Sequence, residues 1–377
     1  MLTKNIHIVI LCLSLTMFAF TKVYADVVTP QTEENNLSEE ENNFNVKSFA
    51  FAHILDSYEF HITNIGEISI SVPLPIIIKS SSRGWFIFLS SKFHHGKESH
   101  KNFSIAERGP YAYKIVETLS DGTVVRPLDL SLTKAGFSLI ITVILLCCIF
   151  IPIAKKYKQN PYKAPSGLQS LMEPLVLFVL NDVIKSALGR EVYKKYAAYL
   201  LTLFFFILTL NLTGLIPIFP FGASTTGNIV IPAVLAFITC VLIYGSSTKG
   251  YWHEMLWPPD VPLWLKFPLP IMPFIELLSS ITKPIVLMMR LFANMMAGHL
   301  LTIVMMSLIF IFGAMSPIIA DTVTIVTILI TILMTLLHIL VAVIQAYIFT
   351  LLSSVFISMA RVKEHKKKEH PVREIKA

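Results

Sequence analysis

Arg290 is the residue around which any chemistry in this chain has to be organised. It lies in Ile285-Val286-Leu287-Met288-Met289-Arg290-Leu291-Phe292-Ala293-Asn294-Met295-Met296, an apolar run that reads as a membrane helix. A guanidinium keeps its charge at every cellular pH. Holding it mid-bilayer costs about 3 kcal/mol on insertion scales and about 10 kcal/mol or more on an isolated helix. It therefore needs water, an anion or both. Positions seven apart differ by only about 20° around a helix, so Glu276, Lys283, Arg290 and Ala297 form one row. Ala293 and Asn294 flank that row, and small residues let another helix approach closely. His299, nine positions on, points to the opposite face. This chain offers no carboxylate at the depth of Arg290, since Glu276 is about four turns away. The counter-charge is therefore expected on another subunit, where Arg290 would hold a carboxylate ionised by pairing with it. The same charge would block an ion from passing straight through.

A second polar row runs through the last apolar segment: Thr324, Thr331, Thr335, His338 and Gln345 among Ile, Leu, Val and Met. A row of hydroxyl, imidazole and amide groups suits a narrow hydrated path. Ordinary hydrogen bonds between helices explain the threonines equally well. His338 and Gln345 are the stronger functional candidates.

The elements that carry these rows are long. Residues 284–312 are almost continuously apolar, with Gly313 and Pro317 breaking the run. Residues 322–360 contain no Gly, no Pro and no formal charge. That is about 58 Å of helix for a hydrocarbon core about 30 Å thick. With no turn signal inside it, the segment is expected as one steeply inclined helix, paired with the Arg290 helix in a tilted hairpin. Upstream, spans are expected over about 135–154, 196–217 and 228–244. An amphipathic interfacial helix on the cytoplasmic face is expected over 165–195, from Leu168, Leu171, Leu175, Phe178, Val179 and Ile184. Composition agrees: 54% of the 377 residues are hydrophobic and 15% charged, against about a quarter charged in soluble domains. The fold class is thus an all-α polytopic membrane protein of about five transmembrane helices, with a small β-rich region at its N-terminal side. The net charge of +7 sits in loops and at the chain end, as topology signal and not as a nucleic-acid surface. Lys155, Lys156, Lys158 and Lys163 after the first span, and Arg361, Lys363, Lys366, Lys367 and Lys368 after the last, place both ends on the cytoplasmic side.

Residues 1–25 read as a cleaved signal peptide: Lys4, an apolar centre over 8–20, and Val23-Tyr24-Ala25 before Asp26; the alternative is an uncleaved first span, for which the apolar centre is short. Residues 26–134 then form an extracytoplasmic region. Its acidic start over 26–43 is expected to be disordered. Residues 57–62, 68–72 and 85–89 alternate as short strands. His53, His61, His94, His95 and His100 match no metal spacing and read as surface residues. Cys12, Cys147, Cys148 and Cys240 all lie in apolar segments, which argues against a disulfide framework or a cysteine metal site. No cofactor site is expected. No Gly-rich phosphate loop ending in Lys-Ser or Lys-Thr occurs, so nucleotide chemistry is not expected of this chain.

Three ordered blocks resemble one family. Met289-Arg290-Leu291-Phe292-Ala293-Asn294-Met295-Met296-Ala297-Gly298-His299 is similar to the signature of subunit a of the F-type ATP synthase membrane sector, Fo, in its bacterial form with an extended N-terminal region. Asn211-Leu212-Thr213-Gly214-Leu215-Ile216-Pro217 and the segment His338-Ile339-Leu340-Val341-Ala342-Val343-Ile344-Gln345-Ala346-Tyr347-Ile348-Phe349 agree, as do Glu276 and Lys283-Pro284. The resemblance covers residues 135–363, followed by a basic cytoplasmic tail over 364–377. It implies a non-catalytic, proton-conducting stator subunit in the bacterial inner membrane, set against a ring of c subunits and held by b-type peripheral stalk subunits. Arg290 would separate two half-channels and interact with the ring carboxylate. Asn294, His299, His338 and Gln345 would line the aqueous path, and Glu276 the other half-channel. Some members carry a carboxylate where this chain has His299 or His338. This chain departs from that pattern with histidine at both, so its inlet is expected to be tuned differently and to be sensitive to pH near neutrality. The competing class is a secondary transporter that binds an anion at Arg290. It would show paired inverted repeats and broken helices, and the sequence displays neither.

Overall fold

The computed structural model describes residues 56–65, 68–80, 83–93, 96, 98–106, 111, 113–119, 122–216, 220–256, 271–313 and 317–361. For 61–65, 68–70, 254, 256, 271–273, 310, 313 and 317–320 the description is of backbone only. The expected signal peptide, the acidic segment after it and the basic tail lie outside the described residues, as do His53, His94 and His95.

A small β unit comes first. Its strands are β1 (Glu59–Ile65), β2 (Ile68–Pro73), β3 (Pro75–Ser80), β4 (Gly84–Leu89), β5 (Phe103–Ile105), β6 (Ile115–Thr118), β7 (Val124–Val125) and β8 (Leu128–Asp129). They form three antiparallel sheets, β1-β2, β4-β3-β8 and β5-β6-β7. The three expected strands are present as β1, β2 and β4. β3 is not among the expected strands, because Pro-Ile-Ile-Ile is a continuous apolar run. In the sheet it alternates, with Ile76 and Ile78 buried and Pro75 and Lys79 exposed. Tyr58, Ile76, Ile78, Phe93, Phe103 and Ile115 make the core of the unit. Its buried carboxylate, Glu117, is neutralised by Arg83 at 3.0 Å.

The β unit runs straight into the first helix, α1 (Lys134–Gln159). The amides of Leu130 and Leu132 bond to Ile77 and Pro75 carbonyls at 2.9 and 3.1 Å, extending the β8 ladder to within two residues of the helix. Thr133 caps the helix by accepting from the Gly136 amide at 3.3 Å, a typical N-cap bond. The Asp56 carboxylate accepts from Ala135 N–H at 3.0 Å, and the Lys134 amide donates to Ser57 O at 2.9 Å.

The helices continue as α2 (Leu168–Phe178), a π-helical stretch over Val179–Lys185, α3 (Ser186–Leu215), α4 (Val230–Gly245), α5 (Lys249–Leu256), α6 (Ile271–Gly313) and α7 (Pro317–Met359). Among the described residues, four helical stretches are long and apolar enough to cross a membrane: Lys134–Gln159, Leu168–Leu215, Phe274–Ile309 and Asp321–Met359. The expected third span is α4, whose 16 residues make about 24 Å of helix, short of the usual span. The expected amphipathic helix and second span join at Gly189 rather than near residue 195. Its φ of 76° breaks the helix there, a conformation that glycine adopts without steric cost. α3 stops at Leu215, and Ile216 is extended at φ −85° and ψ 109°, as the residue before Pro217 must be. α7 forms in one piece, as its composition dictates. It begins at Pro317, where a proline lacks only an amide that no helical partner needs.

α3 is the hub. Leu200, Leu203, Phe204, Ile207 and Leu210 on it are nearly solvent-free, and it packs against α1 and α7, which in turn pairs with α6. α1 meets α3 through the Phe150 and Phe205 rings, with centres 4.8 Å apart, and through Thr142 Oγ1 and Thr213 Oγ1, 3.5 Å apart.

Two tests follow from the junctions. Pro284 inside α6 has no amide to offer the Ser280 carbonyl one turn back. The Tyr244 hydroxyl on α4 donates to that carbonyl at 2.9 Å. Tyr244→Phe should cost about 1–3 kcal/mol by leaving it unsatisfied. In a Pro284→Ala background the loss should shrink, because the Ala amide takes over; a thermal-unfolding double-mutant cycle that is strictly additive would refute this. At the other junction, burial pushes the Asp56 carboxyl above its ordinary value, against hydrogen bonds from Ala135 and Thr133 that lower it. The folded carboxyl thus favours its proton. Its stabilisation is complete in acid and is lost as pH rises from about 4 upward. Asp56→Asn should flatten that part of the stability–pH curve of the full chain.

Candidate functional site

On α6 the buried row is Leu287, Leu291, Met295 and Gly298, and the open row is Val286, Met289, Ala293 and Ala297. Arg290 lies half-buried on the flank between these rows, and Asn294 stands one turn further on the same side. The row expected from seven-residue spacing is partly open: Glu276 and Ala297 are exposed, and Lys283 is half-buried. Among the described residues Arg290 makes no hydrogen bond and no ion pair; the ion pair found is Arg83–Glu117 in the β unit. The small Ala293 and Ala297 leave room for another surface to come close to the guanidinium.

Two clefts flank Arg290 along α6. The first, about 330 Å³ counting its open side, is lined by Asn211, Leu215, Leu291, Asn294, Met295, Gly298, His338, Val341, Ala342 and Gln345. Three helices build it. α3 supplies Asn211, α6 supplies Asn294, and α7 supplies His338 and Gln345, two turns apart. Asn211 Oδ1 accepts from the Thr226 hydroxyl at 2.9 Å, which fixes the amide orientation. The second cleft, about 280 Å³ by the same measure, lies between α4, α5, α6 and α7. Tyr244, Tyr251, Ser280, Lys283, Pro284 and Phe356 face it. Ser280 Oγ lies 2.7 Å from the Tyr244 hydroxyl and 3.2 Å from that of Tyr251. The Lys283 ammonium sits 5.7 Å above the Phe356 ring. Between the clefts the helices pack through Leu287, Ala346 and Phe349, all buried in the main core.

The structure thus brings Asn294, His338 and Gln345 together and adds Asn211. It leaves His299 outside the lining of the first cleft, half-buried on the other side of α6, with Nε2 buried and unbonded. Glu276 is exposed one turn beyond Ser280 and does not line the second cleft. Among the described residues, Thr331 and Thr335 of the α7 row bond within their own helix: their hydroxyls donate to carbonyls one turn back in α7, at 2.7 and 2.8 Å, so α7 satisfies them itself.

Two glycines permit this packing. A Cβ on Gly298 would stand 3.0 Å from Cδ2 and Nε2 of His338, so the imidazole rests against bare backbone. A side chain on Gly214 would collide with Met295 Cε, so α3 and α6 meet closely there. Neither Gly298 nor Asn211 stood out as a site residue in the sequence. A polar amide in an otherwise apolar stretch of α3 was the available signal for Asn211. Gly298→Val should push the His338 ring into the first cleft, whereas Gly298→Ala asks it to move only by tenths of an ångström. With the native cysteines replaced, the rate of thiol modification at Asn294→Cys should fall several-fold in the Val background and stay near normal in the Ala background. Equal rates in both would show that Gly298 does not set the width of the cleft.

A family model described as ATP synthase A chain matches residues 136–358. A second, described as a domain of unknown function, matches residues 49–130. The chain is 41% identical over 243 residues to ATP synthase subunit a of Pelodictyon phaeoclathratiforme, covering 63% of this chain and 67% of that protein. It is 37% identical over 245 residues to ATP synthase subunit a of Chloroherpeton thalassium, covering 62% and 67%. With ATP synthase subunit a of Myxococcus xanthus the identity is 34% over 248 residues, covering 64% and 77%.

Proposed function

The chain belongs to the family of F-type ATP synthase subunit a, and from that premise we propose that it is the proton-conducting stator subunit of a rotary ATP synthase. The single observation that carries this reading is the placement of Arg290 between two clefts separated by a packed layer. In this reading each cleft is the inner part of a half-channel. Protons reach a carboxylate of the c-subunit ring through the cleft of Asn211, Asn294, His338 and Gln345. After the ring has turned, they leave by the cleft of Ser280 and Lys283. Asn294, His338 and Gln345 support a file of water by offering donors and acceptors in an apolar wall. His299 lies further along α6 towards the outer approach, and Glu276 towards the opposite mouth.

Arg290 has two tasks here. Its fixed charge opposes a proton or other cation moving directly from one cleft to the other. It also lowers the proton affinity of each ring carboxylate that comes opposite, releasing the proton to the exit side. The open row of Val286, Met289, Ala293 and Ala297 provides the approach for that ring. ATP chemistry belongs to other subunits of the complex, and b-type peripheral stalk subunits hold this chain against rotation.

The same reading sets the topology. α1, α3, α4, α6 and α7 make five crossings in the inner membrane, with α6 and α7 as the steeply inclined hairpin. α7 is 43 residues long, or about 65 Å, roughly twice the hydrocarbon thickness. After cleavage of residues 1–25, residues 26–134 lie outside the cytoplasm, residues 135–363 form the membrane domain, and the basic tail over 364–377 ends in the cytoplasm. Anion transport at Arg290 gains no support from the unbroken α7, since discontinuous helices are the hallmark of that class.

Arg290→Ala should abolish ATP-driven proton pumping in inverted vesicles while the complex still assembles with its ring. Gln345→Leu, which removes only a polar lining group, should slow pumping without abolishing it. Normal coupled pumping by the Arg290→Ala complex would overturn the assignment.

A further inference from the structure

The β unit has an apolar outer face that its own core does not use. In the β4-β3-β8 sheet, Ile76, Ile78, Phe86 and Phe88 turn inward. Their neighbours turn outward, because side chains alternate along a strand. On β4 these are Trp85, Ile87 and Leu89, which are 56%, 73% and 50% exposed. Directly across on β3, Lys79 pairs with Trp85, Ile77 with Ile87 and Pro75 with Leu89. Leu128 on β8, opposite Lys79, is 39% exposed. Scattered surface hydrophobics are ordinary, but a contiguous apolar face marks a contact. The face also reaches the sheet edge at β4, where an apolar surface left in water invites aggregation.

What covers it follows from where the sheet is tied. The ladder of β3 with residues 130 and 132 ends two residues before α1, the first membrane-spanning helix. At about 3.3 Å per residue, the Trp85 and Leu128 end of the face lies only about 13 Å along the strands from Leu132. The chemistry of the face is interfacial as well. The Lys79 ammonium stands 5.8 Å from the Trp85 ring centre, pairing a cation with the residue type that concentrates at the membrane–water boundary. Among the described residues, the outward positions of β3, β4 and β8 carry no carboxylate, and the charge they carry is that of Lys79, positive as an anionic headgroup layer requires.

We propose that this face, with Trp85, Ile87, Leu89, Ile77 and Leu128 around Lys79, rests on the bilayer surface beside α1, lipid being its partner. The β unit is then a monotopic foot continuous with the first span. It buries apolar area in the headgroup region and fixes the outer end of α1 laterally. The inference concerns lipid contact alone and holds whichever way protons move through the helices.

The test uses the full chain in its assembled complex, with Cys12, Cys147, Cys148 and Cys240 replaced, in phosphatidylcholine–phosphatidylglycerol vesicles. Spin labels go on Ile87→Cys and Leu89→Cys, and a reference label on Lys101→Cys. Lys101 is exposed and lies over Phe86, on the opposite surface of the sheet. Collision rates are read with oxygen, which concentrates in lipid, and with a water-soluble nickel chelate. The oxygen-to-nickel ratio at 87 and 89 is expected to exceed that at 101 several-fold. A ratio equal to that at 101 overturns the proposal. So does exclusion of both reagents at 87 and 89, which would show a protein partner covering the face.

Discussion

A permanent charge that finds no counter-charge among the described residues of its own chain is the constraint on which the rest of this structure depends. Arg290 can be tolerated in an apolar bundle only at a boundary where water, or a visiting anion, reaches it. The helices meet that demand by placing it on the flank of α6, between a packed row and an open one. The packed row, with Leu287 and Leu291 in the main core, holds α6 against its neighbours. Openness on the other side leaves the guanidinium charge available. Along α6 and α7 the buried Leu287, Ala346 and Phe349 lie between the residues that line one cleft and those that line the other.

That arrangement needs helices that meet in one register, and the fixings are local. Pro284 leaves the Ser280 carbonyl without its amide, and Tyr244 fills the gap from α4. This converts a defect in α6 into a tie between two helices at the second cleft. Gly298 and Gly214 do the complementary work at the first cleft. One gives the His338 ring its place, and the other brings α3 close enough for Asn211 to face Asn294 and Gln345. Each fixing sits within about two turns of Arg290 or of a polar group in a cleft. The β unit adds a fixing of a different kind, a rigid ladder carried from β3 and β8 to the start of α1.

Much of this was legible in the order of the residues. The lack of Gly, Pro and charge over 322–360 admits one long helix and nothing else. Pro217 and Gly313 mark helix ends because one restrains its neighbour and the other weakens the helix. The helix break at Gly189 is not expected from the sequence, because the apolar period carries through it; only the backbone dihedral discloses it. The threonine row in α7 looked like a polar path in sequence, yet a hydroxyl at helical spacing can always turn back to its own backbone, and Thr331 and Thr335 do so. Strand β3 was hidden because a continuous apolar run shows no alternation until its neighbours bury one face.

The sequence alone determined the fold class, the helix that must hold an uncompensated arginine, and the family to which those residues point. It could do so because hydrophobic length, helix breakers and an intramembrane charge are properties of the chain itself. Only the tertiary structure decided which polar residues share a cleft. Asn211, Asn294, His338 and Gln345 come from three helices separated by up to 134 positions. Their meeting depends on crossing points where glycines let backbones approach. It decided equally that Glu276 and His299 stand outside the cleft linings, because helical spacing fixes a residue's direction and not the distance to its neighbour.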